Sequence, residues 1–152
     1  MKKIIIFLLL LTFNNCNGYQ PIFLGQDLDF YIENVEIEEN DEISRKIVKR
    51  LQPYFFNKEK IKNNKINLEI FSSFNERVIS KDSKGNPLIY EIKIEINVDY
   101  IKDENKKKKN YIETFSINNQ SNKFELSQYK KTIENNLVNK IFEKIIIDLS
   151  AF

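Results

Sequence analysis

The chain has 152 residues, 41% of them hydrophobic, and a formal net charge of +2. This length predicts one domain, and the apolar fraction is enough for a hydrophobic core, which excludes a disordered tail. Lys2 and Lys3 carry the whole excess of positive charge, because removing them leaves 22 basic residues (24 − 2) against 22 acidic ones. The rest of the chain is neutral, so a general affinity for nucleic acid, which needs a basic excess, is not expected.

The first 16 residues have the pattern of a bacterial lipoprotein signal. Lys2 and Lys3 precede an apolar run, Ile4 to Leu11, and a polar patch then leads to the only cysteine, Cys16. The run is half of the ~20 residues that a membrane-spanning helix needs, so we predict a signal peptide over 1–15 that is removed. Cys16 is then the predicted site of lipid attachment, at the start of a lipidated tether over 16–29. The alternative is an ordinary secretory signal followed by a free cysteine.

Residues 30–152 are predicted to form the single folded domain. Alternating apolar residues over 30–38 predict a strand, with a bulge at Asn34 where the phase slips. Asn40 is a good N-cap, and apolar residues at three- and four-residue spacing predict a first helix over 41–52. A loop follows, and three of its aromatic side chains are expected to fold back onto the core: Tyr54, Phe55 and Phe56.

Three further strands are predicted from alternation of apolar and polar residues. The second strand covers 66–78, and a turn at 82–87 joins it to the third strand as a hairpin. The third strand, over 88–100, has an apolar residue at every even position, which is typical of an antiparallel sheet with one buried face. Residues 102–110 are expected to be a charged loop, and 111–117 the fourth strand.

The chain ends with a long amphipathic helix predicted over 124–149. Asn122 and Glu125 form a candidate capping box at its start. The apolar stripe of this helix is wide enough to cover a sheet. The element order is therefore β-α-β-β-β-α, which predicts an α+β fold. We expect a two-layer sandwich with two helices packed on one face of a four-stranded, mostly antiparallel sheet.

The residue types argue against an enzyme. The sequence has no histidine to act as a base near neutral pH, and its one cysteine is assigned to lipid attachment. Three glycines in the whole chain leave no glycine-rich phosphate loop, and no cluster of histidine and cysteine offers metal ligands. We therefore expect no catalytic residues, no metal and no cofactor.

Two groups of basic residues are expected at opposite ends of the sheet if successive elements alternate in direction. The loop between the third and fourth strands would lie at the same end as the lipid tether and the helix 1–strand 2 loop. It contributes Lys102, Lys106, Lys107, Lys108 and Lys109, beside Lys58, Lys60, Lys62 and Lys65. The opposite end would hold Arg77, Lys81 and Lys84 near the 82–87 turn. Either group could pair with anionic lipid phosphates. The alternative is that these side chains are simply solvated.

The opening of the mature chain resembles a known family. Cys16-Asn17-Gly18-Tyr19-Gln20-Pro21-Ile22-Phe23 is similar to the Cys-Gly-(Phe/Tyr)-x-Pro-Leu-Tyr opening of LptE, the lipopolysaccharide-assembly lipoprotein. The likeness continues through the first strand and helix, the long hairpin and the last helix. Asn17 departs from the pattern, because family members usually have glycine directly after the cysteine.

This resemblance implies a non-catalytic outer-membrane lipoprotein on the periplasmic side. Such a protein plugs and helps to assemble the LptD barrel, and it assists delivery of lipopolysaccharide to the cell surface. The implied partners are an LptD-like barrel, lipopolysaccharide and the membrane through the N-terminal lipid, with no nucleic acid. The lipopolysaccharide-contact candidates are Arg77, Lys81, Lys84, Lys106, Lys107, Lys108 and Lys109. The alternatives are a free periplasmic lipoprotein that binds a lipid or other ligand, and an accessory subunit of a transport system.

Overall fold

The structure, a computed structural model, describes residues 30–55 and 64–152. The predicted signal peptide, the tether with Cys16, Phe56 and the loop lysines Lys58, Lys60 and Lys62 lie outside the described residues. The elements are β1 (Phe30–Ile37), α1 (Glu42–Leu51), a short 3₁₀ turn (Gln52–Tyr54), β2 (Asn64–Lys81), β3 (Pro87–Lys102), β4 (Asn105–Asn118) and α2 (Lys123–Ser150).

The predicted fold class is confirmed. The strands form one four-stranded sheet in the order β1-β2-β3-β4. β1 and β2 are parallel, because α1 crosses between them, whereas β2–β3 and β3–β4 are antiparallel hairpins. Both helices pack on the same face of this sheet. No helix in the described part of the chain is long and apolar enough to span a bilayer.

The alternation of apolar and polar residues along β3 places its apolar side chains at the centre of the core. Ile92, Ile94 and Ile96 have no exposed surface, and they meet the apolar stripe of α2. In β1 the pairing register shifts between Ile32 and Asn34, which confirms the predicted bulge. The bulge lets apolar residues before and after it point to the same core face, although their spacing in the sequence is out of phase.

The first helix begins one residue later than the sequence predicts. Its N-cap is Asp41, not Asn40, and the Asp41 carboxylate accepts a hydrogen bond from the backbone N–H of Ser44 at 2.8 Å. The same carboxylate also accepts from the backbone N–H of Ser72 in β2 at 2.8 Å. Asp41 rather than Asn40 is the N-cap because its carboxylate bonds to the sheet as well as to the first turn of the helix.

The long last helix and its start agree with the prediction. The Asn122 side chain accepts hydrogen bonds from the backbone N–H groups of Phe124 and Glu125. Two of the loop aromatics, Tyr54 and Phe55, are partly buried against the core, as expected. These two aromatics close the sandwich beside β1, where Tyr54 stacks on Phe30 and Phe55 pairs with Ile32.

The two ends of the sheet are as predicted. The base, as we call it, contains the start of β1, the start of β2 and the β3–β4 turn, because Phe30 pairs with Asn64 and Lys102 pairs with Asn105. The tip, at the other end, contains the β2–β3 turn at 82–86. At the tip Leu88 is exposed although its strand phase predicts burial.

The charged loop predicted at 102–110 is wrong. β4 begins at Asn105, and only Asp103 and Glu104 form the turn, with Asp103 in the left-handed region at φ 54°. A tight turn of this kind favours aspartate at a positive φ. The run Lys106–Lys109 is therefore part of the strand. Its side chains point alternately to the two faces of the sheet, and each finds a partner there.

Candidate functional site

On the open face of the sheet, opposite the helices, two base lysines bind carboxylates. Lys106 lies 2.8 Å from Glu69 and 2.9 Å from Asp99, and Lys108 lies 3.4 Å from Asp99. Burial alone would raise the pKa of Asp99, but the bond and charge of Lys106, with the charge of Lys108, hold it below its usual value. The bonds to Glu69 and Asp99 raise the pKa of Lys106. The charges of this group are largely satisfied within the protein.

On the helix face, the other two lysines of the run also have partners. Lys109 lies 3.5 Å from Asp148 of α2. Lys107 lies over the ring of Phe152, 5.8 Å from its centroid, which is a cation–π geometry. All four lysines from Lys106 to Lys109 are thus committed to contacts inside the domain.

A pair of tyrosines lies beneath these contacts at the base. The hydroxyls of Tyr100 and Tyr111 are 2.6 Å apart, and the Tyr111 hydroxyl donates to Asp148. Burial raises the pKa of Tyr100, and burial with the bond to Asp148 raises that of Tyr111. Both hydroxyls therefore stay neutral and satisfied, which indicates a structural polar network rather than a catalytic one.

At the tip one of the three basic side chains has an ion-pair partner in the described chain and two have none. The Arg77 side chain is 66% exposed and bonds to Glu91 at 2.8 Å. Lys81 and Lys84 have no ion-pair partner among residues 30–55 and 64–152. Between them Asp82 accepts hydrogen bonds from the backbone N–H groups of Lys84 and Asn86, so the turn that presents both lysines is well ordered.

Exposed apolar side chains accompany these charges at the tip. Val78 and Leu88 are 36% and 46% exposed. The strand phase of both residues predicts burial. Length was the signal that could have identified them. A ten-residue helix of about 15 Å cannot cover an 18-residue strand of about 59 Å.

The structure therefore separates the candidate residues into two groups. It places Lys106, Lys107, Lys108 and Lys109 at the base, each against a partner. It places Lys81 and Lys84 at the tip near the exposed Val78 and Leu88, and Arg77 on the open face of β2, bound to Glu91. The arrangement at the tip, positive charge next to apolar surface, is chemically suited to an anionic lipid headgroup and the start of its acyl chains.

The described residues contain no group of three or more histidine, cysteine, aspartate or glutamate side chains that could hold a metal ion. Two surface grooves are lined mainly by polar side chains. One, of about 370 Å³, lies on the open face beside Asn67 and Glu69. The other, of about 470 Å³, lies between the start of α1, Phe74 and Glu134. Neither has the apolar lining that an enclosed acyl chain needs.

Comparison with solved structures shows what this fold resembles. Rare lipoprotein B from Shewanella oneidensis superposes with a TM-score of 0.59 at 12% identity, over 78% of this chain and 95% of that one. A minor lipoprotein from Acinetobacter baumannii gives 0.57 at 11% identity, over 79% and 90%. Lipoprotein B from Nitrosomonas europaea gives 0.55 at 12% identity, over 89% and 92%.

The chain shares its fold with these three lipoproteins. At such low identity the likeness concerns the fold alone, but it extends over nearly the whole of each solved structure. No family model matches this sequence. No curated protein matches it either.

Proposed function

We propose that the chain is a non-catalytic outer-membrane lipoprotein of the LptE type, anchored by lipid at Cys16 on the periplasmic side. In this role it plugs and helps to assemble an LptD-like β-barrel and assists delivery of lipopolysaccharide to the cell surface. One observation carries the proposal. A chain whose first 16 residues have the lipoprotein signal pattern adopts the fold of three solved lipoproteins.

The open face of the sheet supports a position inside a barrel. This face is mainly polar, with Phe71 and Ile112 exposed on it. Its charges are matched locally, as where Glu95 accepts from Lys93 at 2.9 Å and from Asn110 at 2.8 Å. The lumen of an outer-membrane barrel is also polar. A surface of matched charges can fit against such a wall without leaving an isolated charge buried, which would be costly.

We assign the lipopolysaccharide contact to the tip. Arg77, Lys81 and Lys84 would pair with phosphate groups, and a guanidinium is well suited to phosphate because it offers two parallel N–H donors. Val78 and Leu88 would contact acyl chains. The base lysines are less suited than Lys81 and Lys84, because binding an anion there would first break their contacts with Asp99, Glu69 and Asp148. Arg77 would exchange its bond to Glu91 for one to phosphate.

Affinity purification from detergent-solubilised outer membranes tests the barrel. A tagged chain should retain a large β-barrel protein in near-equal amount. The proposal is contradicted if the chain is recovered alone under conditions that keep other outer-membrane complexes intact. Recovery with inner-membrane components instead would support the accessory transport subunit, and saturable binding of apolar dyes to the free chain would support a ligand carrier.

The lipid anchor is tested separately. Replacing Cys16 by serine should abolish incorporation of labelled palmitate and release the chain from the membrane fraction. Replacement of the nearby Asn15 by serine is the matched control, since it changes the same segment and leaves the thiol. Unchanged labelling after Cys16→Ser contradicts the anchor.

A further inference from the structure

The outer edge of β2 is unpaired over its second half. β1 pairs with β2 only as far as Ile37 and Ile70. The Asp41 carboxylate then covers the backbone N–H of Ser72. From Ser73 to Lys81 no strand of the described chain pairs with this side of β2. We call residues 73–81 the free edge.

The free edge presents a regular row of backbone hydrogen-bonding groups. In an antiparallel ladder, successive residues alternate between turning both backbone groups toward the partner strand and turning both away. Ser72 donates its N–H to Asp41, on the side away from β3. The same phase turns the N–H and C=O groups of Phe74, Glu76 and Val78 away from β3. These groups are available to another strand.

This edge carries fewer charges in succession than the opposite edge of the sheet. β4 is the other edge strand, and its four consecutive lysines disfavour strand addition, as charges on edge strands do. The free edge instead exposes Phe74 and Val78 on the helix face, at 45% and 36%. An exposed edge with apolar residues favours pairing with a further strand.

Opposite charges lie at the two ends of the free edge. Glu38 and Glu42 line the groove at its beginning, and neither carboxylate has an ion-pair partner in the described parts of the chain. Lys81 and Lys84 lie at its other end, also unpaired within those parts. The edge is thus acidic at one end and basic at the other.

From this juxtaposition we infer that the free edge binds the free edge of a second copy of the chain, antiparallel, across a twofold axis. Antiparallel pairing places the basic end of each copy beside the acidic end of the other, so the charges match twice. The two β2 strands then join the two sheets into one, with all helices on the same face. Because Val78, Lys81 and Lys84 are used in this interface, one copy binds either a second copy or lipopolysaccharide, and the dimer is the state of the chain away from the barrel. A twofold axis makes the interface self-complementary, as in most homodimers.

The register follows from where the edge is blocked. Asp41 stops a partner strand at Ser72, so the strands overlap from about residue 73 to 79, with the axis at Glu76. Phe74 then lies directly opposite Val78 of the partner copy, and the two exposed apolar side chains cover each other. Glu76 lies on the axis, and its charge is matched within each copy by Lys130 at 2.5 Å.

Complementary charge reversal tests this inference on the full chain with Cys16→Ser, without barrel or lipopolysaccharide. One variant carries Lys81→Glu and Lys84→Glu, and the other carries Glu38→Lys and Glu42→Lys. Sedimentation of the unreversed chain should show a concentration-dependent dimer. Each variant alone should dissociate at least about tenfold more readily, because its ends repel. An equimolar mixture of the two should restore the dimer, which also shows that both are folded.

Reversal of Lys140 and Lys144 is the control and should leave the dimer unchanged, because these two lysines share the side of α2 that faces β4, where Lys144 binds Glu113. A monomer at every concentration overturns the inference, as does a mixture that associates no better than its components. If Val78→Lys instead blocks recovery of the barrel while the free chain is monomeric, the edge binds the barrel and not a second copy. Failure of the dimer leaves the proposed function intact, since that is measured by copurification.

Discussion

The base and the tip of the sheet are built from the same strands, but they differ in how their charged side chains are paired and in how much apolar surface they expose. At the base both faces are satisfied: lysines meet carboxylates, and two buried tyrosines share a network with α2. At the tip, lysines and apolar side chains are exposed together. The difference arises because α1 is short and the hairpin is long, so α1 covers only part of β2. A strand pair can thus be anchored in a core at one end and present a binding surface at the other.

The largest expected effect is on stability in the covered half of the sheet. Ile94→Ala removes a side chain with no exposed surface and leaves a cavity, so it should lower the free energy of unfolding by about 2–5 kcal/mol. Leu88→Ala, in the same strand at the tip, should cost less than about 1 kcal/mol. Urea unfolding monitored by circular dichroism measures both. Equal losses would mean that the tip is part of the core.

Asp41 should give the next largest effect, since it caps α1 and holds Ser72 at the point where the free edge begins. Asp41→Ala should cost about 2–3 kcal/mol at neutral pH, from the lost cap and the unsatisfied groups of β2. Asp41→Asn keeps a capping oxygen and serves as the control with a smaller loss.

The contribution of Asp41 should also depend on pH. Burial alone would raise the pKa of Asp41, but hydrogen bonds from Ser44 and Ser72 outweigh it and lower the folded-state value. The ionised carboxylate therefore stabilises the native state above about pH 4. This stabilisation is lost as the pH falls through the folded-state value. Unfolding curves of the parent chain and Asp41→Ala should converge below that range, and a constant difference would contradict the assignment.

A smaller effect is expected from the tyrosine pair at the base. Tyr111→Phe leaves Tyr100 and Asp148 without their shared partner and should cost about 1–2 kcal/mol. Because both tyrosine pKa values are raised, Tyr100 and Tyr111 should stay protonated above about pH 10 in the folded chain. Absorbance titration should show them ionising only on unfolding, and stability should fall above that pH. Ionisation of these two tyrosines in the folded chain near pH 10 would contradict the network.

Sequence reasoning was accurate where one face of an element dominates. Even-numbered residues of β3 and the stripe of α2 predicted the sandwich, and the phase slip predicted the bulge in β1. These features depend on local periodicity, which a single sequence contains. The two-ended placement of the basic residues also followed, since it needs only the direction of successive elements.

The sequence-based predictions were wrong where residues distant in the chain determine the local structure. Lys106–Lys109 are predicted as loop from their charge, but Asp99, Glu69 and Asp148 make the strand possible from far away in the chain. Asp41 rather than Asn40 caps α1 because Ser72 adds a second set of bonds. The exposed apolar residues at the tip could not be separated from the core by phase alone. Coverage depends on how helices of different lengths are placed on the sheet.

The most direct test of the contrast between the two ends is binding of purified lipopolysaccharide to two neutralised variants. One carries Arg77→Gln, Lys81→Gln and Lys84→Gln at the tip, and the other carries Lys106→Gln, Lys108→Gln and Lys109→Gln at the base. Each loses three positive charges, so net charge is controlled. The tip variant should bind at least about tenfold more weakly with little change in stability, because charge contacts to phosphate are lost. The base variant should keep its affinity and lose stability instead. Equal loss of affinity in both variants, or loss only at the base, would contradict the assignment of the tip as the binding surface.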